Sequence, residues 1–64
     1  MNKNIIGYIY KNKNVYGMRK VLLYCDTECI ESGAANTMQG AKKLLQTWKR
    51  KYHINRLDEL IIIQ

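Results

Sequence analysis

The sequence predicts a small α+β domain of order β-β-α-β: an N-terminal hairpin plus a C-terminal strand in a three-stranded sheet, with one amphipathic helix on one face. Three observations lead there. Ile5–Tyr10, Val21–Tyr24 and Leu60–Ile63 are rich in the β-branched and aromatic residues that favour strands. Met38, Ala41, Leu45, Trp48 and Tyr52 recur at spacings of three and four, with Leu44 widening the stripe, as one face of a helix requires. The strand-like runs are also apolar on consecutive residues, whereas a one-sided sheet alternates apolar with polar. One helix covers one sheet face, so the other is expected to meet a second copy or a partner.

Each element has its own local signals. Residues 4–10 read as the first strand. Lys11-Asn12-Lys13-Asn14 is a polar break in which Asn suits the positive φ of a tight turn. Val15–Cys25 reads as a longer second strand, with Gly17 marking a bulge or a close backbone approach. Asp26–Ser32 reads as an acidic, polar connection with Gly33 behind it.

For the helix, Asn36 with Gln39 resembles a capping box. The apolar stripe extends back through Ala34 and Ile30, which allows a start as early as Thr27, although Gly33 and Gly40 weaken that longer version. Asp26, Glu28 and Glu31 are then expected towards the positive end of the helix dipole, with Lys49, Arg50 and Lys51 at the negative end. His53-Ile54-Asn55 ends the helix. Glu59–Gln64 reads as a strand, because three successive isoleucines suit a pleated surface. Asn55 and Asp58 leave open a short helix carrying Leu57, Leu60 and Ile61 on one side.

Length and charge bound the function. A chain of 64 residues is one domain, and at that size only about 60% of the unfolded surface is buried on folding. Oligomerisation, as a homodimer, is the expected compensation, because Cys25 and Cys29 are the only cysteines. Neither a signal peptide nor an apolar run approaching about 20 residues is present, which favours the cytoplasm. Eleven Lys/Arg against five Asp/Glu give a net charge of +6, suited to nucleic acid or an acidic protein surface. A membrane partner is not expected, since the sheet needs the helix's apolar stripe.

Two binding classes follow. In the first, Lys11, Lys13, Arg19, Lys42, Lys49 and Arg50 contact phosphates while Tyr8, Tyr10 and Tyr16 stack on bases. Against it stands the plainer reading of a solvated helix face and tyrosines that fill a half-buried sheet. In the second, the chain is a protein inhibitor or regulator, of the size found among phage and mobile-element accessory proteins. It would dock through a sheet edge or apolar sheet face at Ile5, Ile9, Leu60, Ile61, Ile62 and Ile63.

Enzymatic chemistry finds little support. Cys25-x3-Cys29 with Asp26, Glu28 and His53 falls short of a zinc site, which usually takes four Cys/His ligands where this chain has three. His53 is the lone imidazole, with no nucleophile motif beside it. No catalytic residue, metal or small-molecule cofactor is therefore expected.

Gly7-Tyr8-Ile9-Tyr10 followed by Val15-Tyr16-Gly17 resembles the opening hairpin of GIY-YIG nucleases. The resemblance implies a metal-dependent phosphodiester-cleaving site near Tyr10 and Tyr16. It covers about a sixth of the chain, and the gap between the two elements is shorter than in that family. No motif supplies the family's catalytic Arg or metal-binding Glu, so the reading stays with a binding protein.

Overall fold

The computed structural model describes residues 4–11 and 17–63. It contains β1 (Ile5–Lys11), β2 (Arg19–Cys25), β3 (Glu28–Ala35), α1 (Met38–Lys51) and β4 (Glu59–Ile63). The α+β class is as expected, but the sheet has four strands, in the order β3-β2-β1-β4. β1, β2 and β3 form an antiparallel meander, and β4 runs parallel to β1. A parallel neighbour needs a crossover, which α1 provides.

The extra strand is the main correction. Asp26–Ser32 is not a loop, and the helix does not begin near Thr27. Asp26 adopts a left-handed φ of 58°, which turns the chain sharply after Cys25. The following residues then pair along β2, from Cys25 opposite Glu28 to Arg19 opposite Ala35. A bulge at Leu23/Tyr24 accommodates an extra residue on this edge. The small and acidic residues of β3 have weak strand preference, and pairing with a central strand overrides it. Gly17 stands in a turn with φ 85° rather than in a strand, and β2 starts later than Val15. The expected turn at Lys11–Asn14 lies largely outside the described residues.

The helix is capped by Thr37, whose side chain accepts a hydrogen bond from Gly40 N at 3.0 Å, in place of the Asn36–Gln39 box. Its first turn holds no acidic residue. Glu31 sits instead beside the helix C-terminal end, where Lys51 Nζ donates to it at 2.6 Å. The helix closes as a Schellman motif: His53 N donates to Arg50 O and Ile54 N to Lys49 O, with His53 at φ 57°.

One sheet face builds the core. Ile9, Val21 and Leu23 meet Ala41, Leu45 and Trp48, with Ile5, Ile30, Met38, Leu44, Ile54 and Leu57 packed around them. Ile9 is thereby 1% exposed and offers no docking surface, while Ile5 is engaged at the core margin. Close approach explains a glycine in β1: a Cβ at Gly7 would stand 3.0 Å from Leu57 and 3.3 Å from Leu45. Two aspartates fasten the start of β1. Asn4 N donates to Asp26 Oδ1 at 2.9 Å, and Ile5 N donates to Asp58 Oδ2 at 2.6 Å. Asp58 thus anchors a strand start rather than capping a short helix. Among the described residues, no helix is long and apolar enough to cross a membrane.

Candidate functional site

The sheet face opposite the helix is built by strand alternation. Residues directly paired across strands share a face. Ile6 pairs with Tyr24, Tyr8 with Leu22 and Tyr10 with Lys20. β4 adds Ile61 beside Tyr8 and Ile63 beside Tyr10. Ile6, Tyr8, Tyr10, Lys20, Leu22 and Tyr24 are all half-buried, and among the described residues the one helix packs on the other face of the sheet. The rings of Tyr8 and Tyr24 meet edge to face, their centroids 5.3 Å apart at 74°.

Charge is graded along this face. Lys20 lies beside Tyr10 at the hairpin end, and Glu59 lies beside Ile6 at the other. Lys11 and Arg19 pair with each other next to Tyr10 and Lys20, but alternation turns them towards the helix side. They extend the basic hairpin end without joining the tyrosine row.

The expected stacking tyrosines and phosphate-contacting cations therefore divide. Tyr8 and Tyr10 lie on the open face, while Lys42, Lys49 and Arg50 lie on α1, across the sheet from them. Lys13 and Tyr16 fall outside the described residues. Lys20 and Tyr24 belong to the open face and were missing from the sequence-derived set. Period-2 alternation from Tyr8 and Leu22 would have placed both, had the register of the two strands been known.

A second surface is the outer edge of β4. Leu60 and Ile62 turn towards the helix side, opposite Gly7 and Ile9, but α1 lies over β2 and β3 and leaves each 40% exposed. Ile63 is 55% exposed on the other face. Among the described residues, three of the four exposed large hydrophobic side chains thus occupy one five-residue strand.

The remaining polar clusters are structural. Glu31 accepts hydrogen bonds from Lys51 Nζ and, at 3.1 Å, from Tyr52 Oη, which together hold β3 against the helix end. The Lys51 hydrogen bond holds the Glu31 carboxyl below its ordinary value, and Glu31 in turn raises Lys51. Cys25 and Cys29 are free thiols, and alternation puts Cys25 with Ile5 and Cys29 with Tyr24 on opposite faces. Among the described residues, no three His, Cys, Asp or Glu side chains are grouped so as to hold a metal ion. Comparison with protein-family profiles, curated proteins and solved structures found no match.

Proposed function

We propose that this chain is a small basic binding module that takes single-stranded nucleic acid on its open sheet face. The observation that carries the reading is the uncovered row of Tyr8, Tyr10 and Tyr24 with Lys20 beside it. Unpaired bases stack on such rings whatever their sequence, while neighbouring cations hold the phosphates. Lys11 and Arg19 extend the positive potential at the hairpin end. Lys42, Lys49 and Arg50 act at longer range, raising the encounter rate more than the contact energy. The proposed compartment is the cytoplasm, where Cys25 and Cys29 persist as thiols.

Fluorescence anisotropy with labelled single- and double-stranded DNA and RNA, across a salt series, tests this reading. Single strands should bind at moderate salt, with a slope equivalent to several displaced counterions. Tyr8→Ala and Tyr10→Ala should each weaken binding by about 1–3 kcal/mol, the usual value of one stacked base. Binding confined to very low salt, or indifferent to both tyrosines, would sink it.

The regulator reading rests on a different observation. Ile6, Leu22, Ile61 and Ile63 make the same face apolar as well as aromatic. An apolar partner surface would seat there, and charge changes would then alter association rate rather than affinity.

A further inference from the structure

We infer that the open face takes the end of a single strand, seating about two nucleotides along β1 and letting the rest leave only past the hairpin end. The inference rests on the reading of this face as a stacking platform. Strands rise about 3.4 Å per residue, so Tyr8 and Tyr10 stand about 7 Å apart along β1. Successive bases of one stacked strand lie about 3.4 Å apart. A strand must therefore be drawn out to about twice that spacing before neighbouring bases reach the two rings. A single strand unstacks in this way, whereas a duplex would first have to give up its pairing.

Charge then decides which way the strand runs. At Tyr10 the row opens onto Lys20 on the same face, with Lys11 and Arg19 as the next pair. At the other end, one position beyond Tyr8, Ile6 lies beside Glu59, which alternation puts on the open face. Asp26 and Asp58 border the same end, each accepting a backbone N–H at the start of β1. Among the described residues, the cations towards this end are Lys49, Arg50 and Lys51, which finish α1 on the opposite face, and Arg56, exposed in the connection before β4. Lys51 is already paired with Glu31. Ile61 and Ile63 flank Tyr8 and Tyr10 on the β4 side and give phosphates no hold there. Repulsion between charges persists over about 8 Å at physiological ionic strength, slightly more than one drawn-out nucleotide step. A phosphate beyond the base on Tyr8 falls within that range of Glu59, whereas a terminal sugar hydroxyl carries no charge to repel. The base on Tyr8 is therefore the last of its strand.

Competition anisotropy on the full chain tests this, with a linear oligothymidylate labelled at an internal base as the bound probe. The competitors are unlabelled oligothymidylates of one length: linear with hydroxyl ends, linear with a phosphate on the 5′ or the 3′ end, and covalently circular. The circle should compete about fivefold less well than the hydroxyl-ended strand, the penalty of one unit charge about 4 Å from Glu59 in water. A phosphate on one end should cost a similar factor and on the other end nothing, which identifies the end that enters. Glu59→Lys should abolish the difference by tightening the circle, and Glu59→Gln should narrow it, with circular dichroism showing that both variants are folded. Equal competition by circle and hydroxyl-ended strand would overturn the inference and leave the stacking platform standing. So would a difference that survives both substitutions, or indifference to a phosphate on either end. Absence of binding to any of these strands would instead remove the platform reading, and this inference with it.

Discussion

The Glu31–Lys51 ion pair makes one contact between β3 and the helix end pH-dependent. Glu31 has a lowered pKa in the folded chain, so its contribution is present above its ordinary value of 4.5 and is lost as pH falls through the folded value. Lys51 is shifted upwards, so its contribution is full below 10.5 and disappears as pH rises through the raised value. Glu31→Gln should therefore flatten the acid limb of a melting-temperature profile as pH falls below the ordinary value of 4.5. An unchanged acid limb would assign that dependence elsewhere. Asp58 offers a second residue-scale test. Asp58→Ala removes the acceptor for Ile5 N, and urea titration should show a loss of about 1 kcal/mol.

Elements show what the sequence revealed and what it concealed. The helix stripe was legible from its hydrophobic period, and the first and final strands from their β-branched and aromatic content. β3 was not legible: Glu28, Ser32, Gly33 and the two alanines carry no strand pattern of their own, and only the pairing with β2 makes them a strand. Its sequence nevertheless fits its place. A Cβ at Gly33 would come 3.2 Å from Trp48 and 3.4 Å from Leu44, tighter than ordinary contact. Gly33→Ala should accordingly cost about 1–3 kcal/mol through crowding of the indole, measurable as a lowered urea midpoint. Thr37→Ala should cost about 1 kcal/mol from the lost cap, whereas the same change at Asn36 should cost much less. Equal losses would restore Asn36 as the cap. The candidate site was half legible for a related reason: composition exposes tyrosines and lysines, but the side of the sheet they occupy depends on strand register.

For the whole molecule, the two-layer arrangement separates charge from aromatic surface. Lys49 and Arg50 on α1 are on the far side of the sheet from Tyr8 and Tyr24. Charge reversal at Lys49 and Arg50 should thus slow nucleic-acid association and flatten its salt dependence, while Lys20→Glu should also raise the dissociation rate. Stopped-flow kinetics separates these effects. Dissociation rates raised equally by both changes would place the helix in the contact surface.

The position of β4 also governs how the chain reaches this fold. Its anchor, the Ile5 N hydrogen bond to Asp58, spans 53 residues, whereas β1, β2 and β3 pair with sequence neighbours. Loop-closure entropy makes such a distant contact a late event. The meander and helix can assemble first, leaving one side of β1 open until the last strand arrives. During that interval the central strand is itself an edge, and a β4 from another chain could occupy it as readily as its own. Exchange of β4 between chains is therefore the misfolding route most native to this topology, and refolding at high dilution should suppress it.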